Sequence, residues 1–447
     1  MVKTHVEESL GANPGDAALN PADSVAMGVP AARAKGFLGS SRGRAFRAFA
    51  HRPFRLLFVA FLVNQTGFWI SHLGMQGLMV KLAQNDPIWL GRLFFALFIP
   101  AFALAPIAGV VADRVDRKRI MLVSYGSVAV CSAVLAALTS SGRIDPLSLC
   151  GLALLFGVSF SFAGPASFAL AANAVPGDDL PSAVSIQSAA NNLTRVVGPV
   201  VAAPILAADR YELAFGVYMV AAALSAVLIA RMAHAHYEAE LEDGGIFARL
   251  ATGLRHARER RPALPALTMV ATLSFFGVSH MVVMPVFAEE VLGNVDYFAW
   301  IVVATGAGAM FGALSIGFRE ARPSMRAAAV LMVGYGIALA IFSAATTLAV
   351  ALAMQFVIGW TYFAVMTSLQ TLVQQVVAEA KRGRVMSLFQ VAWAGLVPWG
   401  GLAIGETAGR IGVTTTLALC AAVCGAYAAG SLLLAPREAP AAARGLV

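Results

Sequence analysis

Twelve long apolar stretches dominate this chain, and they constrain its fold more than any other feature. A helix that crosses a bilayer needs about 20 apolar residues at a rise of about 1.5 Å each. Backbone N–H and C=O groups must be bonded within the segment in lipid, and the alternation typical of barrel strands is missing. The sequence therefore predicts an all-α membrane protein with twelve spans. Their approximate bounds are 55–81, 88–111, 120–140, 147–172, 184–206, 212–231, 265–288, 297–317, 327–345, 348–376, 385–405 and 413–434.

Composition excludes a soluble globular protein. Hydrophobic residues make up 59% of the 447 residues and charged residues only 13%, whereas a soluble chain is roughly 25% charged. Cys420 and Cys424 lie one helical turn apart, but no His or carboxylate is near them in the sequence. Neither a metal site nor a disulfide framework is predicted, and no cofactor is expected.

Basic residues fix the expected orientation, because Lys and Arg accumulate in cytoplasmic loops. With the amino terminus inside, the inner loops hold sixteen Lys and Arg residues and the outer side holds five. We therefore expect both termini on the cytoplasmic side of the membrane. The net charge of +8 follows from this topology, so no nucleic-acid partner is expected.

The chain repeats itself after about 200 residues. The segment ASFALAANAVPGDDLPSAVSIQSA is echoed by MTSLQTLVQQVVAEAKRGRVMSLFQVA, and Ser71-His72 in the first span is echoed by Ser279-His280 in the seventh. Two parallel six-helix bundles with a site between them are an alternating-access design. The predicted organisation is a cytoplasmic tail with a short basic interfacial helix (1–52), an N-terminal bundle (53–232), a cytoplasmic linker (233–263), a C-terminal bundle (264–435) and a second tail (436–447).

The loop between the second and third spans carries the most specific motif, GVVADRVDRKR, from Gly109 to Arg119. A glycine permits close helix approach, and Asp113 can cap a helix start or pair with Arg117. The motif resembles the signature of the major facilitator superfamily. The resemblance implies a latch that helps hold the cytoplasmic side closed. Its predicted members are Gly109, Asp113, Arg114, Arg117, Lys118 and Arg119, together with Arg382 and Arg384 after the tenth span.

Two further segments are similar to one branch of that superfamily. VPGDDLPSAVSIQSAANNLTRVVGP (175–199) and RGRVMSL (382–388) resemble the branch that contains the enterobactin exporter and macrolide-efflux-like proteins. Members export small amphipathic molecules in exchange for protons. Gly198-Pro199 retains the predicted kink of the fifth span, but alanines follow it where exporters often have two glycines. Ser167 stands where relatives often have an arginine.

Polar and adaptable side chains inside the spans are the candidates for substrate binding, because polar groups are costly in lipid. Gln65, Trp69, His72 and Gln76 share one face of the first span, and Gln187, Asn191 and Arg195 recur every four residues in the fifth. We predict that the first stripe lines the pathway and that Arg195 faces inward. The remaining candidates in the seventh and tenth spans are Phe276, His280, Met284, Trp360, Tyr362, Met366 and Gln370. Each could instead serve only in helix packing.

The coupling group is less clear from the sequence, since no Asp or Glu falls in the middle of a predicted span. Histidine titrates near neutrality, so His72 and His280 are candidates for carrying a proton, and Glu289 at the outer end of the seventh span is a third. A hydrogen-bonding role is the alternative for each histidine.

These features favour a secondary active transporter that exports a small amphipathic molecule, drug-like or siderophore-like, by alternating access in exchange for protons. The alternative is a uniporter or importer of a small organic anion, with Arg195 as the partner of the anion. No Ser-His-Asp set, metal-ligand spacing or phosphate loop occurs, so an enzyme is not predicted. The protein is expected to act as a monomer in the bilayer.

Overall fold

The computed structural model describes residues 46–232, 254–255, 258, 263–317, 324–377, 385–386 and 388–434. Twelve membrane-spanning segments follow one another through these residues, and every regular element described is helical. We number the spans α1 to α12. The predicted tails lie outside the described residues except for 46–52, where Arg47–Ala50 forms a single 3-10 turn. The predicted linker lies almost entirely outside them.

The N-terminal bundle contains α1 to α6. Their bounds are α1 Arg52–Leu82, α2 Pro87–Ala103 continued by Ala105–Arg114, α3 Arg117–Ser140, α4 Pro146–Asn173, α5 Leu180–Ala207 and α6 Tyr211–Ala230. Carboxylates of Asp86, Asp116 and Asp145 accept backbone N–H groups at the starts of α2, α3 and α4, as helix starts require.

The C-terminal bundle contains α7 to α12. Their bounds are α7 Ala263–Glu290, α8 Tyr297–Gly317, α9 Met325–Ser343, α10 Leu348–Val376, α11 Leu388–Ile411 and α12 Val413–Leu434. Nine of the described helices are long and apolar enough to cross a membrane. The first segment of α2 and the apolar part of α8 are shorter. The span α5 carries Gln187, Asn191 and Arg195, which lower its hydropathy.

Two spans differ from the continuous helices predicted for 88–111 and 265–288. The span α2 is divided at Leu104, between Pro100 and Pro106, because proline removes a backbone donor and its ring crowds the preceding turn. The span α7 passes through a π turn at Leu273–Gly277 and a 3-10 segment at Val278–Val283. There the Ser279 hydroxyl donates to the carbonyl of Ser274 at 2.9 Å, so a side chain enters the backbone ladder.

The same helix pairs pack in both bundles, six helices apart. The pairs α2–α4, α3–α4 and α3–α6 of the N-terminal bundle recur as α8–α10, α9–α10 and α9–α12. Small residues bring the helices together, as in lipid generally. A methyl group added at Gly359 of α10 would lie 2.1 Å from the Thr305 carbonyl oxygen of α8. The predicted fold of two pseudo-symmetric six-helix bundles is confirmed.

Alternation of the spans places the turns at 83–86, 141–145, 208–210, 291–296, 344–347 and 412 at one end of the molecule. We call this end the predicted outer face, and the opposite end, with residues 115–116 and 174–179, the predicted inner face. The bundles meet along two seams, α2 against α11 and α5 against α8.

Candidate functional site

The α2–α11 seam is a close contact between glycines near the predicted outer face. A methyl group added at Gly405 would lie 2.7 Å from the Cα of Gly91. Beside these glycines, Glu406 of α11 forms an ion pair with Arg92 of α2, with a nitrogen–oxygen distance of 3.9 Å. The rings of Phe95 and Trp399 pack edge to face, with centroids 5.1 Å apart. This seam brings the two backbones together and satisfies its charges.

The α5–α8 seam lies at the middle of both helices. A methyl group at Gly306 of α8 would lie 2.7 Å from the backbone oxygen of Arg195 and 3.3 Å from a Val196 methyl carbon. The missing side chain of Gly306 therefore allows α5 to lie directly against α8. This contact fixes the depth and direction from which the Arg195 side chain leaves its helix.

The Arg195 side chain crosses from the N-terminal to the C-terminal bundle. Its Cζ atom lies 4.9 Å from the ring centroid of Phe363 in α10, and the Tyr362 hydroxyl is close enough to interact with it electrostatically. The Tyr362 oxygen also accepts from the Trp393 indole N–H of α11 at 2.8 Å. Helix α10 thus supplies the two aromatic neighbours of a guanidinium that belongs to α5. Helix α11 supports one of them through Trp393.

Hydrogen bonds to the Arg195 guanidinium are missing within the part of the chain that the structure describes, and its Nε atom is buried. An arginine near the bilayer centre costs about 2.5–3.5 kcal/mol on the insertion scale. A contact with an aromatic face returns about 0.5–2 kcal/mol. The described side chains therefore leave this cation without the anionic or hydrogen-bonding partner that its position favours.

The polar stripe predicted on the first span, now α1, contacts two different helices, α2 and α5. The rings of His72 and Phe68 stack with centroids 5.6 Å apart, and Phe94 and Phe98 of α2 pack against the same imidazole. His72 Nε2 lies 2.9 Å from Gln76 Nε2. His72 as a whole is 6% exposed, so it is enclosed by α1 and α2.

Trp69 of the same stripe packs against α5. A methyl group added at Gly198 would lie 2.4 Å from the Trp69 Cβ. Gly198 is therefore required for the α1–α5 approach, and Pro199, which follows it, removes one backbone donor from the middle of α5.

His280 lies inside the C-terminal bundle, away from His72. Its Nδ1 atom bonds the Gly277 carbonyl and lies 3.3 Å from the Tyr335 hydroxyl of α9. Its Nε2 atom lies 3.4 Å from Gln355 Nε2 of α10. The two histidines therefore occupy separate hydrogen-bonded pockets, each with a glutamine neighbour.

The other predicted lining residues have various neighbours. Gln187 donates to Ser167 of α4 at 3.1 Å, and the Trp360 indole donates to Ser315 of α8 at 3.2 Å. Met284 accepts from Gln355 at 3.4 Å. Met366 is buried, Gln370 is exposed, and Gln65, Asn191 and Phe276 are partly buried. Of the predicted set, Arg195 and Tyr362 are brought together across the bundles.

Sequence reasoning missed Phe363 and Trp393, which complete the surroundings of Arg195. Phe363 directly follows the predicted Tyr362, but helical spacing places consecutive residues about 100° apart and gave no reason to include both. It also missed a cavity of about 20 Å³ between α1, α3, α4 and α6, lined by Asn64, Tyr125 and Ser159 among others. That volume accommodates one water molecule.

Charged groups of both bundles meet at the predicted outer face. Lys81 pairs with Asp209 and lies 5.3 Å from the Tyr211 ring centroid. Across the interface, Glu289 accepts from the Val295 backbone N–H at 2.8 Å. Burial raises the pKa of Asp296, and the charges of Asp209 and Glu289 raise it further while Lys81 opposes them. Three carboxylates therefore share one lysine here.

The predicted latch is described only in part. The helix start after the motif is capped by Asp116, which accepts from the Lys118 backbone at 2.9 Å, rather than by Asp113, which lies in the last turn of α2. Arg117 lies 3.5 Å from the Ala169 carbonyl of α4, and Lys118 donates to the Met232 carbonyl at 2.5 Å. The Asp113 side chain, Arg382 and Arg384 lie outside the described residues.

Cysteines and other metal-binding side chains form no cluster of three or more in the described ranges that could hold a metal ion. Cys420 and Cys424 are buried in α12 as free thiols.

Known structures share this fold. A nucleoside transporter, NupG, superposes with a TM-score of 0.64 at 16% identity, covering 86% of this chain and 98% of that one. A D-xylose-proton symporter superposes with a TM-score of 0.67 at 12% identity, covering 86% of this chain and 98% of that one. These likenesses concern the fold alone.

Relatives by sequence match only part of this chain and part of their own length. The staphyloferrin A transporter of Staphylococcus aureus is 29% identical over 34% of this chain and 37% of its own length. Macrolide efflux protein A of Enterococcus faecalis is 25% identical over 45% of this chain and 61% of its own length. The chain thus matches less than two thirds of each of these relatives.

The family model described as transmembrane secretion effector matches residues 44–443, nearly the whole chain and both bundles. This multi-pass membrane protein therefore belongs to the transmembrane secretion effector family of the major facilitator superfamily of transporters.

Proposed function

We propose that the protein exports a small amphipathic molecule across the bacterial inner membrane by alternating access, in exchange for protons. The observation that carries the proposal is the position of Arg195. A polar group from one bundle projects among aromatic side chains of the other, at mid-depth, where a substrate contacts both bundles at once. Binding there can favour one arrangement of the bundles over the other.

The direction of transport is proposed from the relatives and from the closed seam. A siderophore transporter and a macrolide efflux protein are among the relatives. The glycine contact of α2 with α11 lies near the predicted outer face, so the described arrangement would admit substrate from the inner side. The orientation with both termini in the cytoplasm is part of the proposal.

The coupling proton is proposed to act at one of the groups predicted from the sequence. His72, His280 and Glu289 each lie in a different environment, and the carboxylates at the predicted outer face add Asp296 and Asp209. The latch is proposed to operate at the predicted inner face through Asp113 and Arg117.

A second candidate is a uniporter or importer of a small organic anion, and Arg195 favours it. No described carboxylate pairs with its guanidinium, so an anionic substrate would supply the missing charge. Both candidates use the same site and differ in direction and driving force.

Accumulation of labelled compounds in cells separates the two. Cells with and without the protein are loaded with macrolide-like and siderophore-like compounds and with aromatic acids, before and after the proton gradient is collapsed. Export predicts lower accumulation with the protein, and the difference disappears with the uncoupler. Protein-dependent higher accumulation supports the importer and removes the exporter.

A further inference from the structure

We propose that Arg195, Tyr362 and Phe363 form a binding subsite for a carboxylate attached to an aromatic or otherwise flat apolar group. This inference rests on the proposed transport function and names the class of substrate that the site accepts. It is carried by a guanidinium whose described neighbours are one aromatic ring and one phenol, with its Nε atom buried and unbonded.

The charge of the site selects an anion. Spans α1 to α12 contain no Asp or Glu near their middle, so the chain itself supplies no mid-depth countercharge for Arg195. A cationic substrate would meet a like charge at short range in a medium of low dielectric constant, which is unfavourable. A carboxylate would supply the ionic partner that this half-buried arginine lacks among the described residues.

The shape of the site selects a planar group. The Arg195 Cζ atom lies over the Phe363 ring, 4.9 Å from its centroid, and the Nε atom is buried, so the two terminal nitrogens are the donors offered to a ligand. These two nitrogens match the two oxygens of a carboxylate in a bidentate pair. The Phe363 ring beside the guanidinium suits a flat apolar group attached to the carboxylate.

Tyr362 is arranged to add a third hydrogen bond. Its oxygen already accepts the Trp393 indole N–H at 2.8 Å, and no described group accepts the hydroxyl hydrogen. A phenol in this state is a ready donor to an anion beside Arg195. Because Trp393 belongs to α11, the anion would engage α5, α10 and, through Tyr362, α11.

The subsite also explains how binding is communicated. Arg195 belongs to the N-terminal bundle and the other groups to the C-terminal bundle, so the bound anion draws the two together at the α5–α8 seam. A ligand shifts the equilibrium between two arrangements of the bundles only through contacts that differ between those arrangements. Opening of this seam would separate Arg195 from Tyr362 and release the anion.

Equilibrium dialysis of full-length protein in nanodiscs tests the proposal without any gradient. The probes are 1-naphthoate and its neutral isostere 1-naphthamide, with acetate as a competitor that lacks the ring. A charge-assisted pair predicts that the wild type binds naphthoate at least about tenfold more tightly than naphthamide. Acetate is expected to compete weakly.

Variants assign the preference to the named residues. Arg195→Gln is expected to weaken naphthoate binding by about tenfold or more and to leave naphthamide binding within about twofold. Tyr362→Phe removes the hydroxyl alone and is expected to weaken naphthoate by about threefold to tenfold. Arg143→Gln, in the exposed turn between α3 and α4, is the matched control and changes neither. Arg195→Lys keeps the charge but loses the planar pair of guanidinium donors. Its affinity for naphthoate is expected to lie between those of the wild type and Arg195→Gln.

Several results would overturn the subsite: equal affinity of the wild type for the two probes, no naphthoate binding at millimolar concentration, or unchanged naphthoate binding in Arg195→Gln. The wild-type preference decides the matter even if a variant fails to elute as a single species. Gradient-dependent export without a carboxylate preference removes the subsite and leaves the proposed function. A carboxylate preference without export removes the proposed function and leaves the subsite.

Discussion

The two seams between the bundles differ in what they leave unsatisfied. At α2–α11, glycine lies against glycine, and the nearby charges of Arg92 and Glu406 are paired. At α5–α8, a glycine lies against the backbone of Arg195, whose side chain interacts with an aromatic ring and a phenol and with no anion among the described residues. One seam is complete without a ligand and the other is not.

The difference suggests a division of roles. A seam of bare backbone contacts is close-packed and cannot deform gradually, so it is suited to being either closed or open. A seam whose cation has no ionic partner in the described part of the chain depends on what binds there. We therefore expect changes at α2–α11 to impair switching with binding retained, and changes at α5–α8 to impair binding first.

The largest effect is expected from Gly405→Leu. The new side chain clashes with the Gly91 Cα and the Pro87 carbonyl oxygen. Both are backbone atoms, so no side-chain rotation relieves the clash. Overpacking of this kind costs about 1–3 kcal/mol or more, enough to reduce transport by about tenfold or more. Transport and naphthoate binding are measured side by side, with binding expected to persist. Gly216→Leu on α6, where no described atom lies within 4 Å of an added Cβ, is the control, and equal transport in the two variants would contradict the role of the seam.

A smaller and opposite pattern is expected from Gly306→Ala. Its methyl group presses on the Arg195 carbonyl and the Val196 side chain, which displaces α5 and with it the guanidinium. Naphthoate binding should fall by about threefold to tenfold, corresponding to about 0.7–1.4 kcal/mol. Dialysis measures the loss. Unchanged binding together with impaired transport would place both seams in the same role.

A pH effect is expected at the predicted outer face. The pKa of Asp296 is raised by burial and by Asp209 and Glu289, so this carboxyl stays protonated above the ordinary Asp value of about 3.9. As pH rises through the raised pKa, a third negative charge appears beside one lysine and disfavours the closed arrangement. Spin labels at Ser141→Cys and Thr347→Cys, in a background without native cysteines, should report shorter distances at acid pH. Asp296→Asn should flatten this dependence, and an unchanged profile would exclude Asp296 as its source.

The smallest effect is expected from Glu406→Gln, which removes the ion pairs to Arg92 and Arg410. The carboxylate side chain is 35% exposed, and exposed pairs contribute about 0–1 kcal/mol. Transport should change by less than about fivefold, and the change should shrink further at high salt. A loss as large as that of Gly405→Leu would mean that charges, rather than backbone contact, hold this seam.

Much of the fold could be predicted from the sequence, because lipid forces each apolar stretch into a helix. The irregularities were not predicted. The break at Leu104 lies between two prolines six residues apart, which the sequence shows, so this break could have been expected. The π turn of α7 accompanies hydrogen bonds from the Ser279 hydroxyl to the Ser274 carbonyl and to the Val397 carbonyl of α11. The contact with α11 arises only when the helices are assembled.

Of the residues at the site, Arg195 was the one that the sequence predicted most directly. Arg195 is exceptional in a span, so its cost in lipid singled it out. The candidates chosen because they share one face of the first span were predicted less well, because a shared face does not determine which helix packs against each residue. His72 and Trp69 lie on one stripe, yet His72 packs on α2 and Trp69 on α5. The roles of the stripe residues and of the histidines stay predictions.

Transport in proteoliposomes tests the central claim most directly. Wild-type protein and Arg195→Gln are reconstituted, a proton gradient is imposed, and movement of labelled 1-naphthoate against its own gradient is followed. The proposed function predicts transport by the wild type that stops when the proton gradient is collapsed, and the subsite predicts that this transport falls by about tenfold or more in Arg195→Gln. Wild-type transport that is independent of the proton gradient would contradict the proposed exchange for protons, and equal transport by the variant would contradict the subsite.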